Sequence, residues 1–280
     1  MPALSAPMLD VTRAYGLNFL VPAADRGVGR ALREAGEFAR PELELILAAC
    51  DGDLLDVGAN IGAIALPFAA QRPQARVVAV EAHRKIAHIL AANALSNHLM
   101  NVEVFNVAAG EAAGTVEVPM PPLGDLENAG AASLYDKHAV TERVRMAPLD
   151  ELAPPACRFV KVDVEGFEPR VLQGATRLLN EVRPVWLVEA ARDRPNAVAK
   201  TRAILEAAGY GLWWFFSPFV TGRPAKPAFD ERPLRGDVSF LACDGAPPWP
   251  MNPVAGDAWP QDVADFPYLA RYGFTSARLG

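Results

Sequence analysis

Leu54-Leu55-Asp56-Val57-Gly58-Ala59-Asn60-Ile61-Gly62 reads as a short apolar strand, a turn with glycines at its tightest points, and the opening of an Ala-rich helix through Ile64, Ala65, Leu66 and Phe68. Glycine serves where the backbone takes φ > 0 or approaches a ligand without a Cβ in the way, and the amides that open the next helix face a polar group. Any βα turn shares this outline, so the ligand must be argued from the details. A dinucleotide fingerprint requires a second glycine where Asn60 stands, and no Gly-Lys-Ser/Thr follows for a P-loop. Asp56 closes the strand just before the first glycine, which suits a cationic or amine-bearing ligand better than a phosphate. S-adenosylmethionine, with a sulfonium, an ammonium and no phosphate, is such a ligand.

Composition narrows the classes. With 280 residues, 51% of them hydrophobic and 21% charged, the chain has the size and apolar content of one α/β domain with extensions. A net charge of −6, from 27 basic and 33 acidic residues, provides no basic field for gripping nucleic acid. Three cysteines without C-x-x-C or Cys/His spacing read as reduced, structural thiols. No signal-peptide pattern and no apolar run of about 18 residues occurs, so the expectation is a cytoplasmic protein without a membrane span.

Around the opening stretch, three segments are expected: an N-terminal arm with helices over residues 1–50, the main domain over 51–244, and a Pro- and aromatic-rich tail over 245–280 that wraps the domain or mediates homo-oligomer formation. Residues 1–25 predict an extended arm with one edge strand near Asn18–Val21. Residues 28–50 predict two helices parted near Gly36 or Pro41. After the first βα unit, Arg76–Glu81 is a second strand ending in an acid, 19 residues beyond Gly62. That is close to the roughly 20-residue interval at which a strand-end carboxylate meets a ribose. His83 is read as a solvated helix-start histidine, and a helix is expected over Arg84–Ser96. Asn101–Ala109 predicts one strand, closing a β-α-β-α-β half of the doubly wound type. Gly114–Val118 and Arg143–Met146 predict an inserted antiparallel hairpin whose long connection, with Ser133, contributes to an acceptor pocket.

Arg158-Phe159-Val160-Lys161-Val162-Asp163-Val164-Glu165-Gly166 is the second focus. Lys161, Asp163 and Glu165 alternate along an apolar strand and project from one side unless the strand has ended by Glu165. Charges on a core strand are costly unless paired or used. They form either a structural ion pair such as Lys161 with Asp163, or a site. A helix over Glu168–Asn180, a strand ending at Glu189, a helix near Asn196–Ala208 and two late strands around Tyr210–Phe216 and Asp237–Cys243 complete the pattern.

Several of these motifs, in this order, resemble the FkbM family of S-adenosylmethionine-dependent methyltransferases over residues 25–243. They are Asp56 to Gly62, Gly130-Ala131-Ala132-Ser133-Leu134, Val144 to Leu152, Lys161 to Glu168, Val171 to Ala175, and Arg183-Pro184 to Glu189. Two positions depart from the family pattern: Ala82 stands where proline usually follows Glu81, and Ala190-Ala191 stand where a histidine often follows Glu189. The resemblance implies a doubly wound, Rossmann-like α/β methyltransferase fold, with a seven-stranded, mostly parallel sheet whose last strand is antiparallel. It also implies O-methyl transfer to a hydroxyl of a small acceptor such as a sugar, a glycan or a polyketide intermediate.

In that frame Asp56, Gly58, Asn60 and Gly62 hold the methionine part of the cofactor and Glu81 the ribose. Asn106 and Val107 lie by the adenine, and Ile61, Ala82 and Asp163 also belong to the cofactor-binding set. Asp163, Glu165 and Glu189 are candidate bases with Lys161 orienting them, or together they hold a divalent metal; the sequence leaves both open. The rival readings are an NAD(P)-dependent oxidoreductase, disfavoured by Asn60, a non-catalytic cofactor-binding module, and an RNA or protein methyltransferase, disfavoured by the acidic balance.

Overall fold

The structure, a computed structural model, describes residues 8–121, 140–222, 234–275 and 277–279. Its centre is a seven-stranded sheet. Chain order gives β3 (Asp53–Val57), β4 (Val77–Val80), β5 (Val102–Phe105), β9 (Cys157–Val162), β10 (Val185–Glu189), β11 (Gly211–Pro218) and β12 (Gly236–Cys243). Spatial order is β11-β12-β10-β9-β3-β4-β5. All neighbouring pairs are parallel except those of β12, which runs antiparallel to β10 and to β11. The α/β class, the seven strands and the antiparallel last strand follow the expectation. β4 shows why the pattern was readable: Val77 to Val80 is buried throughout, as an apolar run must be in a parallel strand covered on both faces.

Helices α3 (Ala65–Gln71), α4 (Arg84–Ser96), α6 (Glu168–Gln173) and α7 (Pro195–Ala207) link the strands, and α5 (Leu149–Leu152) is a single turn. None of the described helices is long and apolar enough to cross a membrane. Ahead of the sheet come α1 (Val28–Ala35) and α2 (Arg40–Ala49), parted at Gly36 as expected, with Pro41 in the first turn of α2.

Four local readings are corrected. The N-terminal arm is a hairpin, not one edge strand: β1 (Leu9–Ala14) pairs antiparallel with β2 (Leu17–Pro22) around Tyr15-Gly16, both at positive φ, which matches the twist of a two-residue hairpin turn. The hairpin is tied to α4 through Asn93, whose side chain accepts from Leu20 N at 2.7 Å and donates to Leu20 O at 3.1 Å.

The single strand expected over 101–109 splits after Phe105, where the Asn106 amide turns to donate to Glu81 O (2.9 Å) and Ala82 O (3.0 Å). Beyond the break, β6 (Ala108–Ala109) joins β7 (Gly114–Pro119) and β8 (Thr141–Ala147) in a separate three-stranded sheet, the expected hairpin with one strand added.

The helix expected over 168–180 stops at Gln173. Gly174 lies so close to Gly110 that an added Cβ would meet Gly110 O at 2.0 Å. The Asp150 carboxylate then takes the amides of Arg177 (2.7 Å) and Leu178 (3.0 Å), starting a separate π-helical turn over Leu178–Val182. The fourth correction, at His83, belongs to the site below.

The tail runs along β11, the edge strand. Trp214 N donates to Asn252 O (3.0 Å) and Val254 N to Leu212 O (2.9 Å), so part of that edge is paired. The Tyr268 hydroxyl accepts from Phe216 N and donates to Phe216 O, both at 2.7 Å. Phe215 stacks on Tyr268 and Trp214 leans on Trp259. One hydrophobic cluster runs from Ala14 and Phe19 through the sheet to Phe266 and Leu269, so arm, domain and tail share a core. The three cysteines are free and buried, as structural thiols should be.

Candidate active site

The carboxyl ends of β3, β4, β9 and β10 lie side by side, and this is the edge of an open α/β sheet at which ligands are bound. The turn after β3 is held there by the neighbouring strand. Gly58 N and Ala59 N donate to Val80 O (2.9 and 3.0 Å), and Asn60 N donates to Glu81 Oε2 at 2.9 Å. Asn60 takes φ +50°, a conformation in which its side chain folds back to accept from Ile61 N at 2.7 Å. At Gly58, φ is +80° and an added Cβ would lie 1.8 Å from Asp163 O, so only glycine lets the turn rest on the end of β9.

Glu81 Oε1 also accepts from His83 N at 2.8 Å, so this carboxylate staples the turn to the β4 end. Burial pushes its pKa up to about 7, opposed by those two amides. Asn106 is placed beside Glu81 and Ala82 by its two hydrogen bonds, and Val107 is buried next to it. His83 is not the solvated residue expected. It is buried and caps α4, its Nδ1 accepting from Ile86 N at 3.4 Å, because a residue ahead of a helix is placed to take an orphan amide.

β9 ends at Val162, so Glu165 is beyond the strand, at φ +55°. The acids nevertheless converge. One carboxylate oxygen from each of Asp163, Glu165 and Glu189 lies within 4.8 Å of the others. Lys161 Nζ is 3.0 Å from Asp163 Oδ2 and 3.8 Å from both Glu42 Oε1 and Asp56 Oδ1. The structural pair Lys161–Asp163 is therefore present within a larger constellation.

Burial opposes the lysine's charge, but Asp163, Glu42 and Asp56 together hold its pKa well above the ordinary value. Burial, reinforced by Asp163, pushes Glu165 up to about 8 and Asp237 up to about 7, and raises Glu189 strongly. Asp56 is 1% exposed and its pKa is raised, first by burial. The Ala65 amide favours its charged form without meeting the geometry of a hydrogen bond.

Glu42 and Asp237 escaped the reading of the sequence. Glu42 shares a helix face with buried Leu45 and Ile46, three and four residues on, and an acid at such a position is a readable signal. Asp237 is the second residue of β12, and nothing in its local pattern separates it from a solvated strand end. Ser133, most of the 119–142 stretch and most of the 217–236 loop lie outside the described residues.

Residues 56–212, more than half of the chain, match the family model of the methyltransferase FkbM domain. The chain belongs to this family. Glu42 and Asp237 fall outside the matched FkbM region, so the flanks of this chain add acids to the site. Among solved structures, a methyltransferase FkbM from Methylobacillus flagellatus is 19% identical, with a TM-score of 0.46. The alignment covers 68% of this chain and 43% of that one, so the chain spans less than half of that relative. A putative O-methyltransferase from Klebsiella pneumoniae is 15% identical over 83% of this chain and 85% of its own, with a TM-score of 0.46. A precorrin-6y C5,15-methyltransferase from Geobacter metallireducens is 16% identical over 73% and 86%, again with a TM-score of 0.46. No curated protein matches the chain.

Proposed function

We propose that this FkbM-family chain is an S-adenosylmethionine-dependent O-methyltransferase acting on a hydroxyl of a small acceptor, a sugar, a glycan or a natural-product intermediate. One observation carries the reading: the Gly58 turn rests directly on the carbonyl of Asp163, so a cofactor cradle and a cluster of acids adjoin. The cradle suits the cofactor. Asp56 offers to a cationic group two buried carboxylate oxygens that have no hydrogen-bond partner among the described residues, and Gly58 keeps the approach clear of a Cβ. Asp56, Gly58, Asn60, Ile61 and Gly62 would hold the methionine end, Glu81 and Ala82 the ribose, and Asn106 and Val107 the adenine. Bound there, S-adenosylmethionine supplies a methyl group made electrophilic by its sulfonium.

The chain's own contribution is position and proton removal. An alcohol attacks well only as its proton leaves, and groups whose pKa lies near neutrality are the ones able to take it at working pH. Glu165 at about 8 and Asp237 at about 7 meet that condition, and Glu189 is raised in the same direction. Lys161 keeps Asp163 oriented. Holding the acceptor oxygen in line with the methyl group supplies much of the remaining acceleration.

Isothermal titration should show binding of S-adenosylhomocysteine and none of NAD(P); the reverse result would overturn the reading. With an acceptor identified from a panel of hydroxylated compounds, Asp163→Asn and Glu189→Gln should lower turnover on the order of 10²- to 10⁴-fold. Glu189→Gln should keep cofactor affinity within a small factor.

A further inference from the structure

We propose that Asp163, Glu165 and Glu189 form a site for one divalent cation of the hard, oxygen-preferring kind, Mg²⁺, Mn²⁺ or Ca²⁺, at the sheet end beside the Gly58 turn. The role of the ion in catalysis rests on the methyltransferase reading; its binding does not.

Geometry comes first. Mg²⁺ and Ca²⁺ hold oxygens at about 2.0 to 2.6 Å, so any two donors of one ion lie no more than about 5 Å apart. The three carboxylates each place an oxygen within 4.8 Å of the other two. Their backbones are fixed independently. Glu189 is the last residue of β10, paired with Ser239 of β12, and Asp163 N is bonded to Val57 O at 3.0 Å. The donor set is all carboxylate, which favours hard cations over Zn²⁺ or copper.

A second observation is independent of the clustering. Glu189 is 9% exposed, and its Oε2 is buried with no hydrogen-bond partner among the described residues. A carboxylate oxygen taken from water without a new partner is costly, and buried polar atoms in folded proteins are partnered as a rule. Among the described residues, the cations nearby do not fill this need. Lys161 is committed to Asp163, Glu42 and Asp56, and Arg194 stands beside Glu165, its side chain packed over Gly166. The largest charges acting on Glu189, those of Asp163, Glu165, Asp237 and Glu168, are negative. A divalent ion held by Glu189 and its two neighbours offsets that excess. It would also draw electron density from a hydroxyl that meets it, lowering that hydroxyl's pKa, which is the task given above to the acids.

The test uses the full chain stripped with EDTA and titrated with Mn²⁺, free ion being read by electron paramagnetic resonance. One Mn²⁺ per chain is expected, displaced by excess Mg²⁺ or Ca²⁺, with affinity reduced about 10-fold or more in Glu189→Gln and in Glu165→Gln. Thermal melts by circular dichroism show which variant remains folded, and either one suffices. The proposal is overturned if the wild-type chain leaves Mn²⁺ free, in which case the acids await an ammonium-bearing acceptor. It is also overturned if both folded variants hold Mn²⁺ as the wild type does. A parallel titration with S-adenosylhomocysteine separates the two readings. Cofactor bound without Mn²⁺ sinks the cation site alone, and Mn²⁺ bound without cofactor sinks the methyltransferase reading alone.

Discussion

Glu42 sits against Lys161 in a setting where its charge is disfavoured: burial pushes its carboxyl up to about 8, Lys161 draws it down, and Asp163 and Asp56 push it further up. In the unfolded chain the same group titrates near 4.5. Between those values the unfolded chain has given up a proton that the folded chain keeps, so stability falls as pH rises from about 4.5 to about 8. Glu42→Gln has no such proton to lose, while Lys161 retains Asp163 and Asp56. It should be more stable than the wild type at pH 8, by roughly 4 kcal/mol, with most of the gain lost towards pH 5. Urea denaturation at both values measures this, and parallel pH profiles for the two proteins would contradict it.

The same residues show how far a sequence reaches at this scale. Asp163, Glu165 and Glu189 could be read because each follows or ends an apolar strand, a place where a carboxylate stands out. That they meet one another, and that Glu42 and Asp237 join them, depends on β10 lying beside β9, on β12 lying beside β10 and on α2 bringing Glu42 to Lys161, long-range contacts that no local pattern encodes.

Elements were legible where a single periodicity governs them. The helix over Arg84–Ser96 and the buried strands β3, β4 and β10 obey local rules and fall where their patterns place them. The expected helix over 168–180 fails for a reason remote in sequence: the Asp150 carboxylate and the Gly110 backbone reach in to divide it at Gly174. The strand expected over 101–109 likewise breaks because Asn106 is needed by the backbone of Glu81 and Ala82.

Strand β11 carries a prediction of its own. Its Phe216 amide and carbonyl are both satisfied by one hydroxyl, that of Tyr268. Tyr268→Phe removes that oxygen while keeping the ring, and leaves a buried N–H and C=O without partners, at a cost of about 1–3 kcal/mol. A lowered urea midpoint with an unchanged slope would show it; an unchanged midpoint would mean that another group satisfies Phe216.

Across the whole molecule, both flanks are built into the domain. Asn93 binds the β1–β2 hairpin and also donates to Ile61 O in the turn after β3 at 3.0 Å, so hairpin, α4 and turn share one side chain. Glu37, between α1 and α2, accepts from Thr221 Oγ1 (2.8 Å) and Gly222 N (2.9 Å) just past β11, and Phe38 stacks on Phe219.

The tail along β11 has a consequence for solubility. An uncovered edge strand offers a row of amides and carbonyls to any other chain with a free edge, and this one bears Trp213, Trp214, Phe215 and Phe216 in succession. Residues 252–254 and Tyr268 occupy that template before a second molecule does. A chain ended after Asp244 should keep the seven strands yet self-associate, scattering light on gentle warming while the full chain stays clear. If the shortened chain remains monodisperse, the edge is guarded by the twist of the sheet rather than by the tail.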